Sequence, residues 1–217
     1  MKKFMITTML VAFAMMAQAQ IYVGGELGFN TSGSKFVPKT GDVVKAPRTT
    51  TFSIAPVAAY QFSEKIAFGA RIGFERETET IFKWSSDGDL KDVTTMFGLG
   101  VFANYTCLQF GKFSVLTEAG LAILFANGKR KLGSNTDDLW KGTGFGLNIT
   151  PVLAYDLNEK IRLICQLNFL TFGYNSMSSR WPANSDDKTV GSSFGFNFNS
   201  DNVASLNAIT IGFLYKF

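Results

Sequence analysis

Large apolar residues alternate with small or polar ones in eight segments of the chain, and this period of two constrains the fold more than any other feature. In the third segment, Phe68, Ile72 and Phe74 occupy even positions, whereas Gly69 and Arg71 occupy odd ones. Alternation of this kind indicates a β-strand with two chemically different faces. The pattern predicts eight strands, at about 21–31, 49–62, 66–79, 92–109, 112–126, 142–156, 161–174 and 205–217.

The two faces differ in a way that predicts where water lies. The larger apolar residues, mostly Phe, Ile, Leu and Tyr, share one parity, and the other parity carries Gly, Ala, Thr, Asn and charges. Small and polar residues fit the narrow inside of a barrel, whereas large apolar residues fit lipid. We therefore predict an all-β fold, an eight-stranded antiparallel up-and-down transmembrane β-barrel. The alternative is a secreted soluble ligand-binding barrel, which would hide its apolar residues inside.

Short and long connections alternate along the chain. The short ones carry turn residues and cover 63–65, 111–112 and 158–160. The long ones are polar and cover 32–48, 80–91, 127–141 and 175–204. This alternation is typical of an outer-membrane barrel with long loops outside the cell and turns in the periplasm.

The last long connection has a pattern of its own. Phe194, Phe196 and Phe198 alternate with Gly195 and Asn197, which predicts a further strand over 189–199. Two arrangements stay open for it, an extension of the last hairpin above the membrane or a lid.

The first 19 residues have the composition of an export signal. A basic start, Met1-Lys2-Lys3, precedes an apolar stretch and the small-residue pattern Ala17-Gln18-Ala19. The apolar stretch is shorter than the roughly 20 residues that a helical membrane span needs. We predict a signal peptide over 1–19 and one barrel domain over 20–217, exported to the outer membrane.

Composition bears on the function classes open to the chain. The formal net charge of +4 falls to +2 without Lys2 and Lys3, and the basic residues are scattered, so no nucleic-acid partner is expected. The chain contains no histidine, which removes Ser-His catalytic arrangements and the commonest transition-metal ligand. We expect no enzyme, no cofactor and no metal site. Cys107 and Cys165 are expected to be two unpaired, lipid-facing thiols.

Several charged residues fall at inward positions by parity. These are Glu26, Arg71, Glu75, Glu118 and Arg162, together with Glu77. Acidic and basic groups enclosed together can pair, which offsets the cost of removing them from water. In a barrel of eight strands such a network predicts a plug, since a wide aqueous pore needs roughly 16 strands. The alternative is a narrow ion path or proton relay along the same groups.

Two turn motifs and the C-terminus carry a family resemblance. Tyr60-Gln61-Phe62-Ser63-Glu64-Lys65 returns as Tyr155-Asp156-Leu157-Asn158-Glu159-Lys160, and the chain ends in Leu214-Tyr215-Lys216-Phe217. With the leader and the hairpin rhythm, nearly the whole mature chain resembles the small eight-stranded bacterial outer-membrane β-barrel family. The resemblance implies that the barrel-assembly machinery reads the ending at Phe217.

The function expected from these features is architectural. We predict a monomeric, closed scaffold that presents polar loops to an unknown extracellular partner. The alternative is a porin-like transporter of small solutes or hydrophobic molecules. Outer-membrane lipids are the expected surroundings, and the basic cluster Lys129-Arg130-Lys131 could contact the phosphates of lipopolysaccharide.

Overall fold

Ten strands make up the computed structural model, which describes residues 20–36, 44–85, 88–181, 187–197 and 209–217. The predicted signal peptide, 1–19, lies outside the described residues. The strands are β1 (Gln20–Phe36), β2 (Val44–Gln61), β3 (Ile66–Ser85), β4 (Gly88–Phe110), β5 (Phe113–Leu132), β6 (Asn135–Asp156), β7 (Ile161–Leu167), β8 (Thr171–Arg180), β9 (Lys188–Asn197) and β10 (Ile209–Lys216).

Eight of these strands close into a ring. Strands β1 to β6 pair antiparallel in chain order, β6 pairs with β7, and β7 pairs with β10. Strand β10 returns to β1, where Leu27 lies opposite Ile211. The prediction of an eight-stranded antiparallel up-and-down barrel is confirmed.

The described residues include no helix that is long and apolar enough to cross a membrane.

At one end of the ring the strands continue far beyond their predicted ends. The prediction of long loops over 80–91 and 127–141 is wrong for most of these residues, which lie in β3 to β6. The loops predicted over 32–48 and 175–204 are wrong in part, since 32–36 lie in β1, 44–48 in β2, 175–180 in β8 and 188–197 in β9. Residues 37–43, 182–186 and 198–204 of these two predicted loops lie outside the described residues. Strands β5 and β6 meet at the two-residue turn 133–134, where Gly133 has a φ of 57°, as the first position of a II′ hairpin turn requires. The outward apolar residues form a band around the barrel. In the strand extensions beyond this band both faces are polar, so the period-two signal disappears although the backbone pairing continues.

The predicted extra strand is confirmed as β9. It forms a hairpin with β8, in which Phe172 lies opposite Phe196 and Tyr174 opposite Phe194. The strand therefore extends the last hairpin, the first of the two predicted arrangements.

The predicted seventh strand, 161–174, is interrupted beside a proline. Its residues Asn168–Leu170 form a 3₁₀ turn between β7 and β8, and the ladder on β6 passes from Val152↔Gln166 to Ile149↔Phe172. Pro151 lies in this break. Because proline has no N–H to donate to a ladder, the interruption costs least there.

At the opposite end, which we call the short-turn end, main-chain hydrogen bonds connect each turn to the neighbouring hairpin or strand. Each of three turns offers a lysine carbonyl to the neighbouring hairpin, and the carbonyls of Lys65, Lys112 and Lys160 accept from the N–H groups of Thr106, Asp156 and Lys216. The N–H of Phe217 donates to the carbonyl of Ile21 at 3.0 Å. All three turns are thereby fixed against the adjacent strand.

Side-chain exposure follows the predicted parity. Ile211, Leu147 and Phe68 face outward and are exposed by 61%, 52% and 49%, whereas Val152 and Ala154 face inward and are exposed by 2% and 1%. A folded chain that turns large apolar side chains outward needs an apolar solvent around it. Cys107 and Cys165 are both free thiols, as predicted.

Candidate functional site

One layer of four side chains crosses the barrel interior. Glu26, Arg71, Glu118 and Gln166 come from β1, β3, β5 and β7, that is, from every second strand. Inward residues of alternate strands reach the same height in a closed, staggered sheet, so they meet in layers. The fold thus brings together residues up to 140 positions apart in the chain.

Arg71 is the centre of this layer. Its Nη1 and Nη2 atoms donate to Oε1 and Oε2 of Glu118 at 2.8 and 3.0 Å, and Nη2 also donates to Oε1 of Glu26 at 3.0 Å. The Gln166 amide donates to Glu26 at 3.2 Å and to Glu118 at 3.3 Å. Paired, charge-assisted bonds of this kind are stronger than neutral ones and fix the geometry of both partners.

The layer excludes water almost completely from its carboxylates. Glu26 and Glu118 are each exposed by 5% and Gln166 by 7%. The Arg71 guanidinium stacks 4.6 Å from the centre of the Phe102 ring, and its Nε has no hydrogen-bond partner. Two carboxylates share one guanidinium, so the layer depends on Arg71 more than on either glutamate.

Two predicted members of the interior network lie elsewhere. Arg162 bonds Asp156 across the neighbouring turn, with Nε to Oδ1 at 2.6 Å, and its guanidinium carbon lies 5.5 Å from the centre of the Tyr22 ring. Glu75 lies near Glu77, beside a separate small space. The structure therefore groups Glu26, Arg71 and Glu118 but not Arg162 or Glu75, because the stagger of the strands puts these at other heights.

Large apolar side chains fill the barrel on the short-turn side of the layer. This corrects the expectation that the larger apolar residues share the outward parity. The filling side chains are Tyr22, Val57, Ala59, Phe102, Leu116, Val152, Ala154, Ile164 and Leu214. They leave a space of about 30 Å³, enough for one or two water molecules.

A polar cavity of about 630 Å³ lies on the other side of the layer. Arg71, Glu118 and Gln166 form its floor, and its walls carry amides and hydroxyls of Asn148, Thr150, Asn168, Thr171 and Asn175. In the described ranges, no three His, Cys, Asp or Glu side chains group as metal ligands would. Chemically, the site combines a salt-bridged floor with walls that carry both neutral hydrogen-bonding groups and apolar residues, among them Phe194 and Phe196.

The comparisons with known proteins assign the chain to a family. A family model described as "Outer membrane protein beta-barrel domain" matches residues 16–171, well over half of the chain. The chain belongs to this family. As an outer-membrane β-barrel protein, it lies in the outer membrane, and its outward Phe, Ile and Leu side chains contact lipid.

Solved outer-membrane proteins are among the similar structures. A major outer membrane protein from Thermus thermophilus is 14% identical with a TM-score of 0.48, covering 92% of this chain and 100% of that one. Neisserial surface protein A is 13% identical with a TM-score of 0.35 (91% and 93% covered). Ail, the attachment invasion locus protein of Yersinia pestis, is 12% identical with a TM-score of 0.36 (92% and 97% covered). No curated protein matches the chain.

Proposed function

We propose that this outer-membrane barrel is a closed scaffold that presents its extended hairpins to the surroundings of the cell. The observation that carries the proposal is the double closure of the interior. The salt-bridged layer of Arg71, Glu26 and Glu118 crosses the lumen, and packed apolar side chains fill the barrel below it. An ion would have to cross both, and neither offers it a hydrated path.

Orientation and oligomeric state belong to the same proposal. The hairpins of β3 to β6 extend outside the cell, and the short-turn end faces the periplasm, as in other outer-membrane barrels. The barrel acts as a monomer, because its ring of eight strands closes within a single chain. It has no catalytic activity, because the chain lacks histidine and the four polar groups of the layer bond one another. An exposed Phe217, with 76% of its surface accessible, is available to the barrel-assembly machinery.

The second candidate is a porin-like transporter, and the 630 Å³ cavity favours it. A solute could enter this cavity and reach the charged floor. Passage would then require the layer around Arg71 and the apolar core to move aside.

Conductance separates the two candidates. The purified protein, reconstituted in a planar bilayer, should show no steady current, and Glu118→Gln should leave it silent because the apolar core still blocks the lumen. Reproducible single-channel steps whose ion selectivity changes in Glu118→Gln would reject the scaffold and establish the transporter.

Labelling of intact cells tests the orientation. In a chain whose two native cysteines are replaced by serine, a cysteine at Ser134 should react with a membrane-impermeant maleimide, and one at Ser63 should not. Ser134 lies at the tip of the β5–β6 hairpin and Ser63 in a turn at the short-turn end. The reverse labelling pattern would show that the barrel is inserted the other way round.

Lipopolysaccharide is the proposed partner in the membrane itself. Lys129 and Lys131 face outward, whereas Arg130 points inward and bonds Asp92 at 2.8 and 2.7 Å. The hydrogen bonds and the charge of the Asp92 carboxylate raise the pKa of Arg130. The basic cluster therefore offers two lysines to lipid phosphates, and the third cation is neutralised within the protein.

A further inference from the structure

Among the described side chains, six cations occupy outward positions just above the apolar band, on strands β4, β5, β6, β8 and β9. We call this surface the cationic face; it consists of Lys91, Lys129, Lys131, Lys141, Arg180 and Lys188. Asp138 is the one carboxylate at an outward position above the band among the described side chains of these strands, and it is shared by Lys129 at 3.6 Å and Lys141 at 3.3 Å. The face carries a large excess of positive charge.

Register places several of these cations directly opposite one another. Lys141 lies opposite Arg180, and Arg180 lies opposite Lys188. On the neighbouring pair of strands, Lys91 lies opposite Lys131. Like charges in such positions repel, since directly opposed Cβ atoms are about 5 Å apart.

Most of these cations have no carboxylate partner among the residues that the structure describes. Within the described part of the chain, Lys91, Lys131, Arg180 and Lys188 have no carboxylate within 4.0 Å. Four acidic residues of β3 and β4 point the other way, into the lumen, and these are Glu75, Glu77, Glu79 and Asp92. Inside the lumen Asp92 is paired with Arg130, so its charge is not available to the cations of the outer face.

The height of the cationic face matches a lipid headgroup layer. Lys141 lies four residues beyond Phe145, the last large apolar residue on the outer face of β6, whereas Lys131 lies six beyond Phe125 on β5 and Arg180 six beyond Tyr174 on β8. Four to six residues span about 13–20 Å along a strand, or about 10–15 Å along the membrane normal at a tilt of about 40°. Flexible lysine side chains at that height reach the phosphate level of the outer leaflet.

We propose that the cationic face binds the phosphate groups of a phosphorylated glycolipid in the outer leaflet, through the facing cations Lys141, Arg180 and Lys188 and the facing pair Lys91 and Lys131. The bound phosphates supply the counter-charge that Lys91, Lys131, Arg180 and Lys188 lack among the described side chains. This site rests on the proposed orientation, with the hairpins outside the cell, and it is independent of whether the lumen conducts.

The short-turn end provides a matched control within the same molecule. Its lysines Lys65 and Lys160 each follow an acidic residue directly in the sequence, as Lys188 follows Asp187 in the cationic face. Lys112 donates to the carbonyl of Leu157 at 3.3 Å. These lysines also lie near a membrane surface but are not opposed to one another in register.

Lipid retention by the full-length protein tests the site. Three proteins are compared: the parent, a first triple variant and a control triple variant. The first triple variant carries Lys141→Gln, Arg180→Gln and Lys188→Gln, and the control carries Lys65→Gln, Lys112→Gln and Lys160→Gln. Each protein is folded into vesicles of phosphatidylcholine that contain either bisphosphorylated lipid A or its dephosphorylated form. After detergent extraction, native mass spectrometry counts the lipid A that remains bound. The parent should retain the phosphorylated form selectively. Each cation near a charged lipid surface strengthens binding by about fivefold, so the first triple variant should retain on the order of a hundredfold less phosphorylated lipid A than the parent. The control triple variant should retain as much as the parent.

A second readout uses the repulsion itself. In pure phosphatidylcholine the first triple variant should unfold at the same or a higher urea concentration than the parent, because three opposed charges are gone. In lipid A vesicles the parent should unfold at a higher urea concentration than the first triple variant. If that variant does not fold, Lys91→Gln with Lys131→Gln makes the same comparison.

Four results would overturn the proposal. The first two are equal retention of phosphorylated and dephosphorylated lipid A by the parent, and undiminished retention of lipid A by the first triple variant. The third is a loss of retention in the control variant equal to that in the first triple variant. The fourth is stabilisation of the parent by inorganic phosphate equal to that by lipid A. The last of these would show a general anion site rather than a lipid site.

Discussion

Replacing Leu147 with arginine is expected to destabilise the protein folded in lipid by about 2–4 kcal/mol, the cost of an arginine on the lipid face near the bilayer midplane. Leu147 lies in the middle of β6, is exposed by 52% and stands between Leu121 on one side and Tyr174 on the other. Urea titration of the protein in vesicles measures the change.

Two neighbouring substitutions control for parity and depth. Asn148→Arg places the same side chain in the polar cavity and should cost about 1 kcal/mol, the worth of its hydrogen bond with Asn175. Thr143→Arg keeps the outward parity but lies beyond the apolar band and should cost about 0–1 kcal/mol. Equal costs for all three arginines would mean that the outer face of β6 does not meet lipid.

Replacing Arg71 with methionine is expected to lower unfolding stability by about 3–5 kcal/mol, the usual cost of breaking a buried pair by removing one partner. The substitution leaves Glu26 and Glu118 facing each other without a cation, and both carboxylates are almost fully buried. The same urea titration in vesicles measures this loss.

Arg162→Met provides the matched control. Arg162 has a single carboxylate partner, Asp156, and both side chains of that pair are more accessible than the glutamates of the layer, so its loss should cost clearly less. Adding Glu26→Gln and Glu118→Gln to Arg71→Met should recover most of the lost stability, because no unpaired charge then remains. A loss in Arg71→Met that those two substitutions do not reduce would show that the charges in the layer are not what stabilises it.

Much of this architecture follows from the sequence because one face of each strand is continuously apolar. The alternation of Phe68, Ile72 and Phe74 with Gly69 and Arg71 determines which side of β3 meets lipid, and a slip of one residue would reverse every side chain. Strand number, parity, the short turns and the inward position of Arg71 were all predictable on this basis.

The membership of the charged layer was not predictable in the same way. Parity places Glu26, Arg71, Glu75, Glu118 and Arg162 inside, but their heights depend on the stagger between strands, which no local pattern encodes. Gln166 has the inward parity of Arg162 on the same strand, yet a neutral amide gives no signal of its role beside two carboxylates. The hairpin extensions were missed for another reason, since strands that are polar on both faces have no hydrophobic period.

The claim that this chain is a membrane-embedded closed barrel is tested most directly by heat-modifiability. The full-length protein is extracted from the outer-membrane fraction in detergent, and boiled and unboiled samples are compared on a gel. A barrel held by a closed hydrogen-bonded ring should stay folded in the unboiled sample and migrate at a different apparent mass from the boiled one. Recovery of the protein in the soluble fraction, with the same migration before and after boiling, would contradict it.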